Sequence, residues 1–497
     1  MNLEQLPFEH SYAGLPAHFH ARVAPTPVSK PRLVQLNRPL AHYLGLDPAL
    51  LESEAGVAML AGNRLPESAL PLAMAYAGHQ FGHFVPQLGD GRAVLLGELL
   101  ARDGIRHDIQ IKGAGRTPFS RGGDGRAALR PMVREYLASE AMAALGVPTQ
   151  RALALLETGE EVWREEAEPG GLLIRVARSH IRVGTFEYFF RNGDHEAVRI
   201  LADYVIDRHY PDVREAANPY LALLKGISER TADLIADWLA VGFIHGVMNT
   251  DNLSVTGETI DYGPFGFMDE FDPGQVYSSI DRGGRYAYNR QPAIAHWNLT
   301  RLAETLLPLL DPDEKKAVAT AEQSLDRFAP RFEAAWQAAL RRKLGLTGGQ
   351  ADDEALVTEL LGCMSEQRAD YTLVFRALSW LPDDPSSDDG ATDETLRALF
   401  ANTHRLDTWL TRWRARLAQQ TTPESERQQA MQATNPAYIL RNHLAERAVD
   451  QAAEGDYSTF NDLLTVLGRP FEEHPGYEAY GRPPEPGERV VQTFCGT

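Results

Sequence analysis

The residues best suited to chemistry lie between positions 245 and 263. This segment contains a His-Gly pair at His245, an asparagine at Asn252 and an Asp-Tyr-Gly triplet that begins at Asp261. Carboxylate and amide oxygens are the ligands that a hard cation such as Mg²⁺ prefers. An asparagine in a loop and an aspartate after the following short strands can supply those oxygens together. We therefore predict that Asn252 and Asp261 bind a metal ion.

The order of these residues is typical of kinase-like enzymes, in which a His-containing loop with a late asparagine precedes an Asp-Phe-Gly triplet. One position departs from that pattern. The catalytic aspartate of a kinase would fall at Val247, and a valine side chain cannot accept a proton. Asp251, beside Asn252, is a carboxylate that could replace it. A nucleotide-binding scaffold without catalysis is the alternative that Val247 favours.

A lysine that could hold phosphates lies at the end of a predicted β-hairpin. Two β-like runs, 93–100 and 107–112, flank a turn at Asp103-Gly104, which is the pattern of a hairpin. Because side chains alternate along a strand, Lys112 falls on the polar face, opposite the isoleucines of the second run.

A predicted helix over residues 129–145 carries two possible partners for this lysine. Either Glu135 or Glu140 could turn toward Lys112, and kinase-type enzymes use such a pair to hold the lysine head at phosphates. The spacing leaves both glutamates open. A solvated lysine at a strand end is the structural alternative.

Glycine and arginine are concentrated on both sides of this hairpin. Residues 87–92 contain two glycines before Arg92, the loop 113–126 is rich in both residue types, and Arg175 and Arg182 bracket the end of a later strand. Glycine lets the backbone approach a phosphate, and the guanidinium fork matches oxyanion geometry. Taken singly, the first segment is more typical of a glycine-rich turn than of a phosphate site, and the arginines are equally ordinary salt-bridge partners.

Composition excludes several classes of protein. The 497 residues, 43% hydrophobic and 24% charged, have ordinary globular composition and are too many for one compact core, which predicts two lobes. A net charge of −19 argues against nucleic acid and anionic membranes as partners. Two cysteines exclude a disulfide-stapled fold. The sequence has no apolar run long enough to span a bilayer and no recognisable leader, so we expect a cytoplasmic protein.

The pattern of the chain changes along its length, which predicts an α+β fold class. From residue 87 to about 182, short β-like runs alternate with Gly/Arg loops. A helix is predicted over 228–243 with Ser228 as its N-cap, and from residue 297 nearly everything is helical. The Pro/Gly-rich stretch from residue 469 predicts an extended tail.

Four long strings carry a resemblance to a known family. They are YAGHQFGHFVPQLGDGRAVLLGE at 76–98, IQIKGAGRTPFSRGGDGRAALRP at 109–131, HGVMNTDN at 245–252 and IDYGPFGFMD at 260–269. Over most of its length the chain resembles the selenoprotein O family, pseudokinases that act as protein adenylyltransferases.

This resemblance implies a protein-kinase-like, two-lobed fold with an extended, mostly helical C-terminal lobe. The corresponding domains are an N-terminal extension packed on the lobes (1–86), an N-lobe (87–190), a helical C-lobe (191–468) and a C-terminal tail (469–497). It also implies that ATP binds in a reversed orientation and that AMP passes to Ser, Thr or Tyr hydroxyls of protein substrates with release of pyrophosphate. The implied cofactor is Mg²⁺, and some members use Mn²⁺ and UTP.

The resemblance also implies roles for individual residues. The implied nucleotide-binding residues are Gly89, Gly91, Arg92, Lys112, Asp124, Gly125, Arg175, Arg182 and Asp261. Asn252 and Asp261 would bind the metal, and Asp251 would accept the proton. The string around Glu135 favours that residue as the partner of Lys112. A kinase that uses Asp251 as its base is the enzymatic alternative.

The cysteines and two histidines complete the predictions. Family members carry selenocysteine or cysteine near the C-terminus, as at Cys495, and a disulfide in some relatives implies redox control. The segment 272–281, where its partner is expected, contains no cysteine, and Cys363 is predicted to be a small buried residue. His79 and His83 lack a third ligand nearby and are predicted to be structural.

Overall fold

The structure, a computed structural model, describes residues 6–387 and 390–494. Within these residues a seven-stranded antiparallel sheet adjoins a large helical part, as predicted for an α+β chain. Cys495 lies outside the described residues, and redox control through it stays a prediction.

The strands fall into one main sheet and two small pairs. Their bounds are β1 His20–Arg22, β2 Arg32–Leu36, β3 Leu72–Met74, β4 Gly78–Gln80, β5 His83–Val85, β6 Ala93–Leu100, β7 Arg106–Lys112, β8 Arg151–Trp163, β9 Ala167–Ala177, β10 Phe243–Ile244 and β11 Gly266–Phe267. The main sheet has the order β1-β3-β6-β7-β9-β8-β2, while β4 pairs with β5 and β10 with β11.

Most of the α-helices in the described residues follow β9. Their bounds are α1 Arg38–Tyr43, α2 Pro48–Leu51, α3 Glu54–Leu60, α4 Leu129–Ala144, α5 Val183–Arg191, α6 His195–His209, α7 Pro219–Ala240, α8 Gln291–Leu310, α9 Glu314–Leu325, α10 Phe328–Lys343, α11 Asp353–Gln367, α12 Tyr371–Leu378, α13 Ala391–Arg397, α14 His404–Leu417, α15 Glu424–Gln432, α16 Asn442–Ala453 and α17 Ser458–Leu467.

Strands β6 and β7 form the predicted hairpin. Ala93 pairs with Lys112 at the open end, and a register shift between Leu95 and Gly97 bends β6. Ile109 and Ile111 lie in a core with the N-terminal helices, so Lys112 occupies the opposite face of β7, as the alternation predicts. That face is also buried, because α4 covers it.

Helix α4 lies between the sheet and the C-terminal helices. It contacts β8 and β9 on one side and α16 and α17 on the other, and Tyr136 packs against Phe460 with ring centroids 5.7 Å apart. Contacts on both sides explain why even Glu135 and Arg134 on this helix are buried. A polar group buried in this way needs a partner, and those partners lie in the site described below.

The first 86 residues contribute directly to the main sheet. β1 pairs with β3 and β3 with β6, which extends one edge, while β2 pairs with β8 at the other edge. The separate β4–β5 hairpin packs on residues 250–252 of the helical part. The first 86 residues therefore contribute to both edges of the main sheet and also contact the loop at residues 250–252.

Helix α7 begins nine residues before its predicted start at Ser228. Asn218 is the N-cap, its side chain accepting a hydrogen bond from the backbone N–H of Leu221, and Pro219 occupies the first turn. Ser228 is buried inside the helix, where its hydroxyl donates to the carbonyl of Leu224 at 2.8 Å. The predicted N-cap was wrong because a serine can satisfy its hydroxyl one turn back along a helix.

The short strand pair expected between Asn252 and Asp261 is also not formed. The paired strands are instead β10 and β11, on either side of this segment. Between them, Ser254 forms a single bridge with Arg182, and Thr259 one with Thr149. The segment therefore pairs with two chain segments that are distant in sequence, which local periodicity could not show.

The tail from residue 469 has little regular structure but is held in place. The backbone N–H of Thr493 donates to the carbonyl of Tyr277 at 2.7 Å, and that of Ser279 donates to Thr493 at 3.1 Å. Elsewhere, Cys363 is buried in α11 as predicted. Among the described helices, none combines the length and apolar character needed to cross a bilayer; the cytoplasmic location stays a prediction.

A buried lysine in the C-terminal core gives a prediction for stability. Lys343 is 3% exposed, and burial lowers its pKa to about 7. Its ammonium group lies 4.5 Å from the ring centre of Phe375, which offsets part of the desolvation cost.

We expect Lys343→Met to raise the melting temperature most near pH 7 and progressively less toward pH 10. The unfolded lysine has a pKa of about 10.4, so between these values the unfolded chain binds the extra proton and wild-type stability rises with pH. Thermal unfolding of both proteins across this range measures the difference. A difference that does not change with pH would contradict the prediction.

Candidate functional site

A cleft of about 760 Å³ lies where the main sheet meets the helical part. Its walls come from the open end of the β6–β7 hairpin, the Gly/Arg loops, the start of α4 and the loop after β10. The lining includes every residue predicted to bind nucleotide or metal or to accept the proton: Gly89, Gly91, Arg92, Lys112, Asp124, Gly125, Arg175, Arg182, Asp251, Asn252 and Asp261. The volume lies in the range of small-molecule and cofactor sites.

Lys112 pairs with Glu135 and not with Glu140. The ammonium group of Lys112 donates to Glu135 Oε2, and Glu135 has no exposed surface. Glu140 instead receives hydrogen bonds from Arg151 and from Asn37. The residue spacing did not distinguish Glu135 from Glu140 as the partner of Lys112. The position of α4 does, because it directs the Glu135 side chain toward the sheet.

Two arginines hold Asp261 from opposite oxygens. Arg175 Nη2 donates to Asp261 Oδ1 at 2.6 Å, and Arg182 Nη1 donates to Oδ2 at 2.9 Å. Arg182 also donates to the backbone carbonyl of Asp251 at 3.0 Å. The backbone of Asp261 has a φ of 57°, a left-handed conformation uncommon for a residue other than glycine. The two arginines fix the position of its side chain.

Glu135 joins the lysine to the arginines. Its Oε1 accepts hydrogen bonds from Arg175 Nε and Gln150 Nε2, both at 2.6 Å, while Oε2 accepts from Lys112. Lys112, Arg175 and Arg182 thus form a continuous cluster with the carboxylates of Glu135 and Asp261. Three cations face two anions, so this cluster carries an excess positive charge suited to phosphate.

The pKa values follow from burial and these partners. Burial alone would raise the pKa of Asp261, but Arg175, Arg182 and Lys112 hold it well below its usual range. Burial, reinforced by Arg175, lowers the pKa of Lys112 to about 8, even though Glu135 opposes the shift. At neutral pH Lys112 is still mostly protonated, and an approaching anion favours that charged form further.

Asp251 has a different environment. It is 6% exposed, its Oδ1 has no hydrogen-bond partner in the described structure, and burial raises its pKa to about 6 although Arg182 opposes the shift. The backbone of β4 covers the carboxylate so closely that a Cβ on Gly78 would lie 2.3 Å from Oδ1. Because Asp251 lines the cleft and its pKa lies near neutrality, its carboxylate is suited to accept a proton from a substrate.

Asn252 and Asp261 are compatible with a bound divalent cation. Asn252 Nδ2 donates to the carbonyl of Val247 at 2.9 Å, which leaves the amide oxygen for another partner. In the described residues no group of three or more His, Cys, Asp or Glu side chains could hold a metal alone. One carboxylate and one amide oxygen suit Mg²⁺, which is commonly bound through few protein ligands, substrate phosphates and water.

The two glycine-rich loops pack against each other through Phe119. A Cβ on Gly89 would lie 2.3 Å from the Phe119 ring, and Gly89 has a φ of 70°. A Cβ on Gly125, which has a φ of 71°, would lie 2.0 Å from the carbonyl oxygen of Gly115. Asp124 caps the N–H of Arg126 and pairs with Arg164 at 3.0 Å. Glycine is therefore needed here to form the loops, whatever they bind.

Several lining residues were not predicted from the sequence, among them Tyr76, Gln80 and Phe494. Arg182 lies over the ring of Tyr76, 4.3 Å from its centre, and Gln80 hydrogen-bonds the Asp251 carboxylate. Both belong to the string that begins at residue 76, but neither carries a charge that would mark it. Phe494, 69% exposed, reaches the cleft from the tail, where no periodicity or motif signalled it.

His79 is structural, as predicted. Its Nδ1 lies 2.5 Å from Glu187 Oε1, and the second oxygen of Glu187 accepts from the Thr250 hydroxyl. That hydroxyl accepts in turn from the backbone N–H of His79 at 2.7 Å. This buried set fixes the β4–β5 hairpin against the residue that precedes Asp251.

Comparison with known proteins agrees with this geometry. The family model described as "Protein adenylyltransferase SelO" matches residues 2–468. The chain belongs to the SelO family. It is 61% identical over 493 residues to a protein of Alkalilimnicola ehrlichii named "Protein nucleotidyltransferase YdiU", and 59% identical over 492 residues to proteins of that name from Rhodopseudomonas palustris and a Bradyrhizobium species. Each alignment covers 99% of both chains.

In this SelO-family site we expect Gly78→Ala to lower nucleotidyl transfer at least tenfold. The added Cβ would lie 2.3 Å from Asp251 Oδ1 and 2.9 Å from its Cβ, so the aspartate backbone as well as its carboxylate must move, and misplacing a reacting group by about 1 Å can cost about 10² in rate. Gly362→Ala, in a helix with open space around it, is the control and should leave turnover unchanged. Equal turnover in both variants would contradict the prediction.

Proposed function

We propose that the protein transfers AMP from ATP to Ser, Thr or Tyr hydroxyls of protein substrates, releasing pyrophosphate. The observation that carries this proposal is the pair of unlike carboxylates in one cleft. Asp251 has an unpartnered oxygen and a raised pKa, while Asp261 is ionised among Arg175, Arg182 and Lys112. The relatives' name, protein nucleotidyltransferase, supports a protein acceptor.

The reaction needs positive charge at the leaving group. The acceptor hydroxyl attacks the α-phosphorus, a new P–O bond forms, and the bond to the β-phosphate oxygen breaks, so that pyrophosphate departs with the electron pair. Lys112, Arg175 and Arg182 can neutralise the charge that develops there. Their excess positive charge over Glu135 and Asp261 supports this role.

Asp251 is proposed as the acceptor of the hydroxyl proton. Asp251 lines the cleft, its Oδ1 has no partner in the described chain, and a pKa of about 6 leaves the carboxylate mostly ionised at neutral pH. Val247, at the position of the kinase base, also lines the cleft and is apolar. A site with its base at Asp251 therefore needs no carboxylate at Val247.

Asn252 and Asp261 are the residues proposed to hold Mg²⁺, for which Mn²⁺ could substitute. When bound, the cation would supply charge neutralisation at the phosphates. The protein's part is to present the amide oxygen of Asn252 and the carboxylate of Asp261. The arginine pair keeps that carboxylate ionised and oriented.

The proposal extends to the fold and to the orientation of ATP. The order β6–β7–α4–β8–β9, with Lys112 on β7 and Glu135 on α4, supports a protein-kinase-like N-lobe over residues 87–190 and a helical C-lobe over 191–468. The glycine- and arginine-rich loops, which lack a full kinase glycine motif, support ATP bound in reverse. UTP is a possible alternative donor within this proposal.

The function is tested with ATP labelled at either the α- or the γ-phosphate and a protein extract as acceptor. We expect protein label from the α position only, and a loss of about 10²–10⁴ in rate for Asp251→Asn, the usual contribution of a general base. Val247→Asp should gain no γ-phosphate transfer, because the reversed γ-phosphate would lie away from that position.

The other outcomes of the labelling experiment would each support a different conclusion. Label from the γ position alone would make the protein a kinase with Asp251 as its base. No label from either position, with ATP bound, would make it a nucleotide-binding scaffold. Full α-label transfer by Asp251→Asn would remove Asp251 from the mechanism while leaving adenylyl transfer standing.

The metal assignment has a separate test. Asp261→Asn should abolish the Mg²⁺ dependence of ATP binding measured by calorimetry and should reduce transfer strongly, because the substitution removes the only negatively charged oxygen of the proposed pair of ligands. Asp269→Asn is the control, since this carboxylate pairs with Arg441 away from the cleft. Unchanged Mg²⁺-dependent binding in folded Asp261→Asn would disprove the assignment.

A further inference from the structure

Four arginines on one face of the molecule have no acidic partner. Arg191, Arg282, Arg285 and Arg290 form no ion pair in the described part of the chain, and Nε of Arg285 is buried without a hydrogen bond. In a protein with 68 acidic and 49 basic residues most guanidinium groups find a carboxylate, and these four are among the arginines that do not. We call these four residues the arginine surface.

Stacked aromatic rings hold part of this surface in place. Arg191 lies over Phe84 at 5.3 Å, and Arg285 lies over Trp297 at 4.7 Å. The ring of His79 connects the two, lying 5.1 Å from Phe84 and 5.3 Å from Trp297. Arginines stacked on rings keep their planar forks oriented, so less entropy is lost when they bind a carboxylate.

The nearest carboxylate along the chain is turned away from this surface. Asp281 is 6% exposed, and its two oxygens accept from the backbone N–H groups of Arg285 and Tyr286 at 2.9 and 2.8 Å. The aspartate therefore shapes the loop that carries Arg282 and Arg285 instead of pairing with their side chains. Arg282 projects from this loop and is exposed.

The arginine surface adjoins the acceptor end of the cleft. Phe81 N–H and the Tyr286 hydroxyl both donate to Asn249 Oδ1, at 3.0 and 2.7 Å, and Asn249 lines the cleft two residues before Asp251. Gly82 lies against the Arg285 guanidinium, because a Cβ there would be 3.6 Å from its carbon. A chain seated on these arginines could thus reach Asp251.

We propose that the arginine surface binds an acidic segment of the protein substrate, so that the modified hydroxyl lies near Asp or Glu residues. This inference rests on the proposed function and adds the class of substrate sequence that the site prefers. Guanidinium forks pair with carboxylates bidentately. The net charge of −19 disfavours long polyanions and anionic membranes, whereas a few carboxylates can approach a local cluster of arginines.

The test uses two fluorescent peptides with the same tyrosine acceptor, one flanked by Asp and Glu and the other by Asn and Gln. Binding is measured by anisotropy and transfer by α-labelled ATP. The variant is Arg191→Glu/Arg282→Glu, which reverses two exposed charges. The control is Arg102→Glu/Arg327→Glu, which makes the same change in net charge at two exposed arginines on other elements, the turn between β6 and β7 and the residue before α10. Melting temperatures verify that each variant folds.

The wild type should bind and modify the acidic peptide in preference to the neutral one, through a lower KM. The reversed variant should lose roughly tenfold in kcat/KM for the acidic peptide, since two exposed ion pairs contribute up to about 1 kcal/mol each. It should retain its kcat/KM for the neutral peptide, and it should favour a third peptide flanked by lysines. The control variant should behave as the wild type does.

Several outcomes would overturn the inference. The first is equal use of the acidic and neutral peptides by the wild type, and the second is an equal loss of kcat/KM in the reversed and control variants. The third is a reversed variant that no longer binds phosphatidylserine vesicles but transfers AMP to the acidic peptide as the wild type does. Charge-dependent peptide binding without any AMP transfer would support the surface and refute the proposed function, so the two failures are distinguishable.

Discussion

The structure depends on balancing a set of charges buried where the sheet meets the helices. Lys112, Arg175, Arg182, Glu135 and Asp261 come from two strands, a helix and two loops. Removing one partner of a buried ion pair costs about 3–5 kcal/mol, so none of these elements can shift alone. The sheet, α4 and the loop after β10 must therefore keep fixed relative positions, which also keeps the cleft open.

Much of this arrangement could be predicted because some signals in the sequence are local. The alternation along β7 placed Lys112 on the correct face, and the helix carrying Glu135 was predicted within one residue of its observed end. The choice between Glu135 and Glu140 could not be made locally, since it depends on how α4 is rotated against β8 and β9. The predicted start of α7 was wrong for a similar reason. Both Asn218 and Ser228 are acceptable N-caps, and tertiary packing selects Asn218.

Several of the residues that the sequence did not reveal are uncharged or act through the backbone. Tyr76, Gln80 and Gly78 approach the cleft on the segment around β4, and no charge or periodicity marked them. Their importance comes from contact with a loop about 170 residues further along the chain. The spacing of residue types along the sequence does not show such long-range contacts. The long string at 76–98 that carries the family resemblance nevertheless indicated that this segment matters.

The two aspartates in the cleft show how one fold separates two chemical tasks. Asp261 receives two guanidinium groups, so its pKa stays low and it is an anion at neutral pH. Asp251 is buried beneath the backbone of Gly78 with one oxygen unpartnered, so its pKa rises to about 6. Environments that push like groups apart in pKa assign the acid–base roles in an active site. Here the assignment follows from which carboxylate the arginines reach, and they reach Asp261 through its side chain but Asp251 only through its backbone carbonyl.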